Sequence, residues 1–499
     1  MRIGGLASGM DIDQIVKDLM KVERMPLDKL KQKKQLLEWQ RDDYRSMNTL
    51  LQGLDDYLFS NITLQSSMFK KTVSSSNESV VTATAGSSAA NVATTIQVDR
   101  VATSAVWLSD ATKRVDKDKA SFSVDADVTL TINVTNGDGT KKQAAITVKQ
   151  GTTLDGVIAQ LNSNLDLGVS AFYDEKTGRI SIMKKDTGAQ AGLVLADQAT
   201  ADFFAQKLGF TGAAAGQDLT GKTAGQDAQV TLNGLRTTRS SNTFTINGVT
   251  YTVKGTGTAT VSVETDVDAM FNAIKGFVDK YNDTIAKINA ELKEERYRDY
   301  RPLTDEQKEA MTEKQIELWE EKARSGMLRG DSILSSALSQ MRMNVYTKVE
   351  GANIPSGFSQ LAQIGITTSS NYLDGGKLII DETKLREKIK ENPDAVYQLF
   401  NQDGATDAEK GIARRLRDTI KATIGKIEQK AGKTIWTNQQ FAIGRDLIEI
   451  NDQIDRFQDR LKQIEDRYYR QFTAMEEAIQ RANQQSMYLM NAFGGGMQG

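Results

Sequence analysis

The sequence contains no cysteine and no histidine. Without cysteine there is no thiol nucleophile, no disulfide and no thiolate metal site. Without histidine the commonest general base and the commonest transition-metal ligand are missing, so Ser-His-Asp and Cys-His catalysis are excluded. Carboxylate chemistry is left, but among 65 acidic residues no pair stands out. No catalytic residue, cofactor-binding residue or metal ligand is therefore expected, no cofactor is implied, and the chain reads as a non-enzyme. Charge of one sign is lacking too: the net charge of −2 gives no global field to hold nucleic acid. Long apolar runs are missing, so no membrane insertion is expected. The first ten residues lack the apolar core of a cleavable signal. That leaves a cytosolic protein, or one exported by a route that reads an uncleaved N-terminus.

What is present is a helical texture at both ends and a β texture between them. Near the C-terminus, Ile443, Leu447, Ile450, Ile454, Phe457, Leu461, Ile464 and Tyr468 step by four and three. Met475 keeps the phase, with Phe472 and Ile479 beside the slots held by Gln471 and Ala478. Such a seam is narrow and asks for a helical partner. The N-terminal seam is rougher: Leu30, Leu37, Tyr44, Met47, Leu51, Leu54 and Leu58, interrupted by Lys33 and Gln40. Polar residues in seam positions weaken a coil and help fix its register. The two seams are expected to pair as a coiled stalk; the alternative is two ordinary core helices of a globular bundle. The basic first turns (Lys17, Lys21, Arg24, Lys29, Lys31, Lys33, Lys34) are interspersed with acids and read as a solvated helix face.

At 499 residues the chain has room for about three domains. Asp11 with Gln14 resembles a capping box opening a first helix. Pro26 suits the first turn of a new helix and Met25 before it is biased away from helix, so a joint is expected there, followed by a helix to about residue 60. From about residue 72 the period becomes two. Phe122, Val124, Ala126, Val128, Leu130, Ile132 and Val134 alternate as one long strand. Asn136-Gly137-Asp138-Gly139 turns into a return strand with Ile146 and Val148. Phe244 to Tyr251 reads as a hairpin with Asn247-Gly248 at its tip, flanked by Val230 and Leu232 before and Val261 and Val263 after. Between the β blocks a small mixed unit, Ile146 to Ile182, carries a helix near Leu154 to Leu161. Helix returns at Asp268 with Ile274, Val278, Tyr281, Ile285, Ile288 and Leu292. Residues 291–325 are crowded with mixed charge and read as solvated helix and loop. Amphipathic segments follow near 333–349, 385–399 and 412–427, and the last residues form a glycine-rich tail.

Two short motifs invite chemistry. Gly216-Gln217-Asp218-Leu219-Thr220-Gly221-Lys222-Thr223 matches the phosphate-loop pattern. That chemistry needs a buried strand before the loop and a helix opening at Lys-Thr. The flanks supply neither, so the segment reads as a Gly-rich loop. Gly4 to Asp11 is too glycine-rich for a regular element; it is either a frayed terminus or a segment that orders on docking.

Ile3-Gly4-Gly5-Leu6-Ala7-Ser8-Gly9-Met10-Asp11-Ile12-Asp13, then Met25-Pro26-Leu27, resembles the start of bacterial flagellar filament cap proteins, also called hook-associated protein two. Gln226-Asp227-Ala228, Asn233-Gly234, Ser241-Asn242 and Gly248-Val249 resemble the start of that family's C-terminal half. Phe277-Val278 with Tyr281-Asn282, Gly330-Asp331-Ser332, Ile364-Gly365-Ile366 and Leu378-Ile379-Ile380-Asp381 fit its later core. Residues 146–182, with Leu154, Ile158, Asn162, Val169, Tyr173 and Gly178-Arg179, are similar to a small repeat of flagellins and hook-associated proteins. The resemblance covers nearly the whole chain; the charged stretch 291–325 is its weakest part.

The resemblance implies an α+β fold: a terminal coiled-coil leg and a helical domain, with inserted antiparallel β-rich domains. The leg would take residues 1–42 and 455–499, the helical core 43–71 and 268–454, a β-rich plate 72–104 and 224–267, and a second β-rich domain 105–223. Assembly contacts would fall on Leu6, Met10, Leu37, Tyr44, Leu51, Leu58, Leu447, Ile450, Ile454, Phe457, Leu461, Ile464 and Tyr468. Expected partners are flagellin, further copies of the chain in a pentamer-like ring, the flagellar type III export apparatus and an export chaperone. The expected place is the distal tip of an extracellular filament. A surface adhesin binding host glycans, and a hook–filament junction protein with similar terminal helices, are the competing readings; the Gly-Leu-Ala-Ser-Gly-Met-Asp run favours the cap.

Overall fold

A computed structural model describes residues 9–494 apart from 118–121, 123 and 352–353. Leu6 and the terminal residues 495–499 lie outside the described residues. Two compact units result: Met1–Leu64 with Phe271–Gly499, and Gln65–Met270. The fold is α+β.

The first unit begins with one helix, α1, of 46 residues over Ile12–Tyr57. The Asp11 carboxylate accepts from the Gln14 amide at 3.0 Å and caps it. The cap is not the reciprocal box expected, because the Gln14 side chain donates to Asp18 instead. Nor is there a joint at Pro26, which lies inside the continuous helix. A proline there removes one backbone donor and crowds the carbonyl of Val22, at a cost of about 3 kcal/mol. Burial of Val16, Met20 and Leu27 on either side of Pro26 offsets that cost, at roughly 1.5–3 kcal/mol per fully buried side chain.

The second unit is β-rich and holds two separate cores. In one, a five-stranded antiparallel sheet runs Lys71–Ser75, Gly257–Thr265, Val92–Arg100, Ala228–Leu232, Leu235–Arg239. It shares its core with a three-stranded sheet of Thr243–Ile246, Val249–Val253 and Val81–Ala85, through Val81, Ile96, Val98, Val230, Tyr251 and Val261. Asn247 and Gly248 take φ of 51° and 79° at the hairpin tip, the left-handed conformation an Asn-Gly turn supplies. The other core is built around Trp107, Leu130, Ile132, Ile146, Val157 and Phe204. It lies among a four-stranded sheet (Lys222–Thr223, Val106–Leu108, Arg179–Lys184, Val169–Asp174), a three-stranded sheet (Lys141–Val148, Val128–Thr135, Gly192–Leu195) and helices α2 (Leu154–Ser163) and α3 (Gln198–Gln206).

The long alternation was expected to make one strand from Phe122 onward; the strand starts at Val128. Phe122 and Val124 are buried outside it. The Asp127 carboxylate accepts from the Gln150 amide at 2.9 Å, and the Gln150 side chain donates to the Asp125 carbonyl at 2.9 Å. These side-chain bonds compete with ladder pairing and divert the backbone into a loop.

The first unit resumes at Phe271 within α4 (Val267–Lys293), then α5 (Asp305–Glu309), α6 (Glu313–Arg324), α7 (Ser332–Tyr346), α8 (Glu382–Glu391), α9 (Pro393–Asn401), α10 (Ile412–Ala431) and α11 (Ala442–Gly494). The amphipathic stretch 385–399 is two helices, because Asn392 caps α9 through the Ala395 amide (2.9 Å) and Pro393 occupies the first helical position. Gly276 on α4 lets α1 close in: a Cβ there would collide with the Tyr57 hydroxyl, which donates to Ala273 O at 3.1 Å.

Candidate assembly surface

The N-terminal half of α1 and the first half of α11 lie side by side and antiparallel. Tyr469 donates to the Asp13 carboxylate at 3.0 Å, and Tyr468 to Glu23 at 3.0 Å. At the other end of the pair, the Arg45 guanidinium sits 5.5 Å over the Phe441 ring. The seam between them buries Ile12, Val16, Met20 and Leu27 against Ile450, Ile454, Leu461 and Ile464. Leu30, Leu37, Phe457, Tyr468, Tyr469 and Phe472 pack partly buried around it.

The expected contact residues divide into groups. Leu37, Ile450, Ile454, Phe457, Leu461, Ile464 and Tyr468 meet in the seam. Tyr44, Leu51, Leu58 and Leu447 are buried but are not members of that cluster. From Tyr44 onward α1 is packed into the helical body. The Tyr44 phenol donates to Asp331, and Arg45 donates to the carbonyls of Ala431 (3.1 Å) and Gly432 (3.2 Å), capping the C-terminus of α10. Asp55 pairs with Arg417 at 2.8 Å with its carboxylate almost buried. Met10 precedes the helix and is half-buried. The seam residues Ile12, Val16, Met20 and Leu27 were not expected as contacts. Ile12, Val16 and Met20 step by four and Leu27 follows seven residues on, but the break expected at Pro26 detached them from the longer seam.

Two electrostatic features accompany the surface. Burial and the neighbouring Asp331 carboxylate push the Tyr44 phenol far above its ordinary range. Burial raises Asp43, against the lowering effect of Arg324, whose Nη2 lies 2.7 Å from it. Beyond Phe472 only Met475, Glu476 and Ile479 are half-buried among the described residues of α11; from residue 481 to 491 it is exposed throughout, with Met487, Tyr488, Leu489 and Met490 at 61, 75, 52 and 76%.

The charged stretch is folded. Thr304 with Gln307 and Thr312 with Gln315 form reciprocal capping boxes that open α5 and α6. It is fastened along α1: Lys31 to Asp305 at 2.9 Å, Lys21 to Glu306 at 3.5 Å, Gln32 to Pro302 O at 2.7 Å, Arg324 to Asp43 at 2.7 Å. Pro302 and Leu303 are buried beneath it.

The phosphate-loop match does not form such a loop. Lys222 and Thr223 are a short strand, where the motif needs a helix. The Lys222 ammonium is spent internally, on Ala191 O and Asp218, each at 2.6 Å. Among the described residues no acidic cluster could hold a metal ion, and no helix is long and apolar enough to cross a membrane.

Family models match three stretches: flagellar hook-associated protein 2 N-terminus over residues 8–105, its C-terminus over 225–484, and the flagellin hook IN motif over 129–186. The flagellar hook-associated protein 2 of Halalkalibacterium halodurans is 36% identical over 544 aligned positions, covering 99% of this chain and 100% of that one. That of Thermotoga maritima is 30% identical, over 70% of this chain and 54% of the relative. A crystal structure of the flagellar cap protein FliD D1-D2-D3 domains from Escherichia coli matches 78% of this chain and 96% of its own, with a TM-score of 0.57 at 23% identity, which speaks for the fold. A match from end to end with a relative of that name, and family models on both halves, place the chain in the flagellar hook-associated protein 2 family.

Proposed function

We propose that this protein caps the distal tip of a bacterial flagellar filament, where it promotes the folding and insertion of exported flagellin. Family membership is the observation that carries this reading. Copies of the chain close into a ring by head-to-tail contacts, and the paired terminal helices hold the filament end. The exposed apolar turn at Met487, Tyr488, Leu489 and Met490 suits docking onto an apolar partner surface. Holding must be weak and renewable, because each arriving flagellin displaces the contact.

The chain reaches the cell exterior without a cleaved signal, through the flagellar type III apparatus with an export chaperone. The absence of cysteine suits passage of an unfolded chain, since no disulfide can form on the way. The adhesin and junction readings are not favoured by the family. Immunogold labelling of flagellated cells should mark the distal filament tip; label at the hook junction or along the cell wall would overturn the proposal. Leu447→Asp combined with Ile454→Asp should unseat α11 and release unpolymerised flagellin into the medium. Normal filaments from that variant would count against the role of the seam.

A further inference from the structure

Asn-Gly occurs three times in the chain, at residues 136–137, 233–234 and 247–248. The pair is chemically fragile, because glycine has no Cβ to shield its amide nitrogen from the preceding side-chain amide. The fold treats the three pairs differently. Gly137 is buried and its amide donates to the Asp186 carboxylate, while the Asn136 side chain donates to the Thr140 hydroxyl at 2.8 Å. The backbone there has no room to move: a Cβ on Gly137 would collide with the Thr187 carbonyl.

The other two pairs form a matched comparison. Asn233 and Asn247 are both exposed, and each opens a two-residue hairpin turn, between Leu232 and Leu235 and between Ile246 and Val249. The backbones agree: φ is 46° and 88° at Asn233 and Gly234, and 51° and 79° at Asn247 and Gly248. That is the left-handed conformation such a turn requires. The surroundings do not agree. The Asn233 side-chain carbonyl accepts from the Thr95 amide at 2.9 Å, and the Asn233 amide donates to the Thr95 carbonyl at 2.9 Å, so this turn is pinned to the neighbouring strand. Among the described residues neither the Asn247 side chain nor the Gly248 amide makes a hydrogen bond. The Gly248 carbonyl accepts from the Gly86 amide at 2.9 Å.

We propose that Asn247 is a site of spontaneous deamidation in the folded protein, and that Asn136 and Asn233 are protected by their partners. Hydroxide or water takes the Gly248 amide proton and the nitrogen attacks Cγ of Asn247. A C–N bond forms there, the Cγ–Nδ2 bond breaks, and ammonia leaves a five-membered succinimide. Water then opens the ring. Addition at Cγ gives aspartate; addition at the main-chain carbonyl gives isoaspartate, with a main chain longer by one methylene and a free carboxylate at the tip. The attack needs the turn to open for a moment. Opening at Asn247 breaks no side-chain bond, whereas at Asn233 it breaks the pairing with Thr95. In the isoaspartate product the added methylene displaces Gly248 from the Gly86 amide and loosens the hairpin. The inference is independent of the cap reading.

The unmodified full chain tests it. The protein is aged in mildly alkaline buffer, digested in acid where the reaction is slow, and each Asn-Gly peptide is followed by mass spectrometry for the gain of one mass unit. A parallel sample in denaturant gives the rates without the fold. In the folded chain Asn247 should react faster than Asn233 by a factor of roughly ten, the worth of one hydrogen bond in a local opening. Asn136 should react no faster than Asn233, and in denaturant the three should react at similar rates. A folded-state rate at Asn136 or Asn233 equal to that at Asn247 would overturn the assignment. So would a folded chain in which none of the three reacts while all react in denaturant. In the isolated isoaspartate product the Gly86 amide should exchange with solvent faster than in the parent; equal exchange would overturn the loosening of the hairpin.

Discussion

Tyr44 and Asp331, 287 residues apart in sequence, share a hydrogen bond that ties α1 to the start of α7. Asp331 uses its other oxygen to cap α7 through the Leu334 amide at 2.9 Å. One carboxylate thus holds two helices. Tyr44→Phe should lower stability by about 1–2 kcal/mol, since the donor is lost and a half-buried acceptor oxygen is left unmatched. The pH signature has a definite sign. The folded phenol titrates well above the ordinary value of 10.0, raised by burial and then by Asp331. Its contribution is complete below pH 10 and is lost progressively as the pH rises above that value, where the unfolded phenol ionises first. Denaturant titrations between pH 8 and 11 should show a steeper alkaline loss in the parent than in the phenylalanine variant; equal slopes would refute the coupling.

Pro26 lies inside α1 on an exposed face. Pro26→Ala restores a backbone donor to the carbonyl of Val22 and removes a ring from the preceding turn. The helix should gain about 1–3 kcal/mol, reduced by the greater freedom of the unfolded chain. Urea unfolding followed by far-ultraviolet circular dichroism measures the change. An unchanged or lowered midpoint would mean that the proline fits α1 at no cost.

Legibility followed how local each signal was. Leu130, Ile132 and Val134 alternate toward one core, and that period survived in the structure. The Asn247-Gly248 turn needed only two residues and was equally plain. The C-terminal seam from Ile450 to Tyr468 was legible because each member faces one helix over its whole length. At Pro26 a local rule about helix starts was overruled by the seam on both sides, a tertiary effect that no window of a few residues contains. At Asp127 the reverse held: a side chain took the backbone bonds that an unbroken apolar period had promised to a strand. The segment 294–330 was hidden by its charge, although Thr304 with Gln307 and Thr312 with Gln315 spelled two helix starts. That Lys33 and Arg298 line one crevice with Leu36 and Tyr300 was not legible at all, because they come together only in the folded chain.

Lys222 offers a test of the phosphate-loop match. Lys222→Ala removes the bonds to Ala191 O and Asp218 and an ammonium 5.5 Å from the buried Trp107 ring. Stability should fall by about 1–2 kcal/mol, as for a lost charge-assisted hydrogen bond. Magnesium ATP should shift the melting temperature of neither parent nor variant. A nucleotide-dependent shift in the parent that disappears in the variant would revive a nucleotide site.

Asp43 and Arg324 decide how the charged segment is held on α1. The Asp43 carboxylate is mostly buried while Arg324 is about half exposed, at 15 and 52%. Burial, joined by the neighbouring Glu294 and Asp42 carboxylates, raises Asp43 more than Arg324 lowers it, so the charge is a net cost to the folded state. Its folded pKa lies above the unfolded one, so this cost is present at neutral pH and is relieved as the pH falls through the folded value. Removing the arginine alone leaves the carboxylate unpaired, whereas Asp43→Asn removes the charge that needed pairing. Arg324→Ala should therefore be the more damaging single change, by roughly 1 kcal/mol after allowance for solvent screening. Asp43→Asn should be close to neutral, and the double variant should resemble Asp43→Asn. Denaturant unfolding of the four proteins at low and high salt completes the cycle. If Arg324→Ala and Asp43→Asn prove equally harmful at both salt concentrations, the pair acts through packing rather than charge.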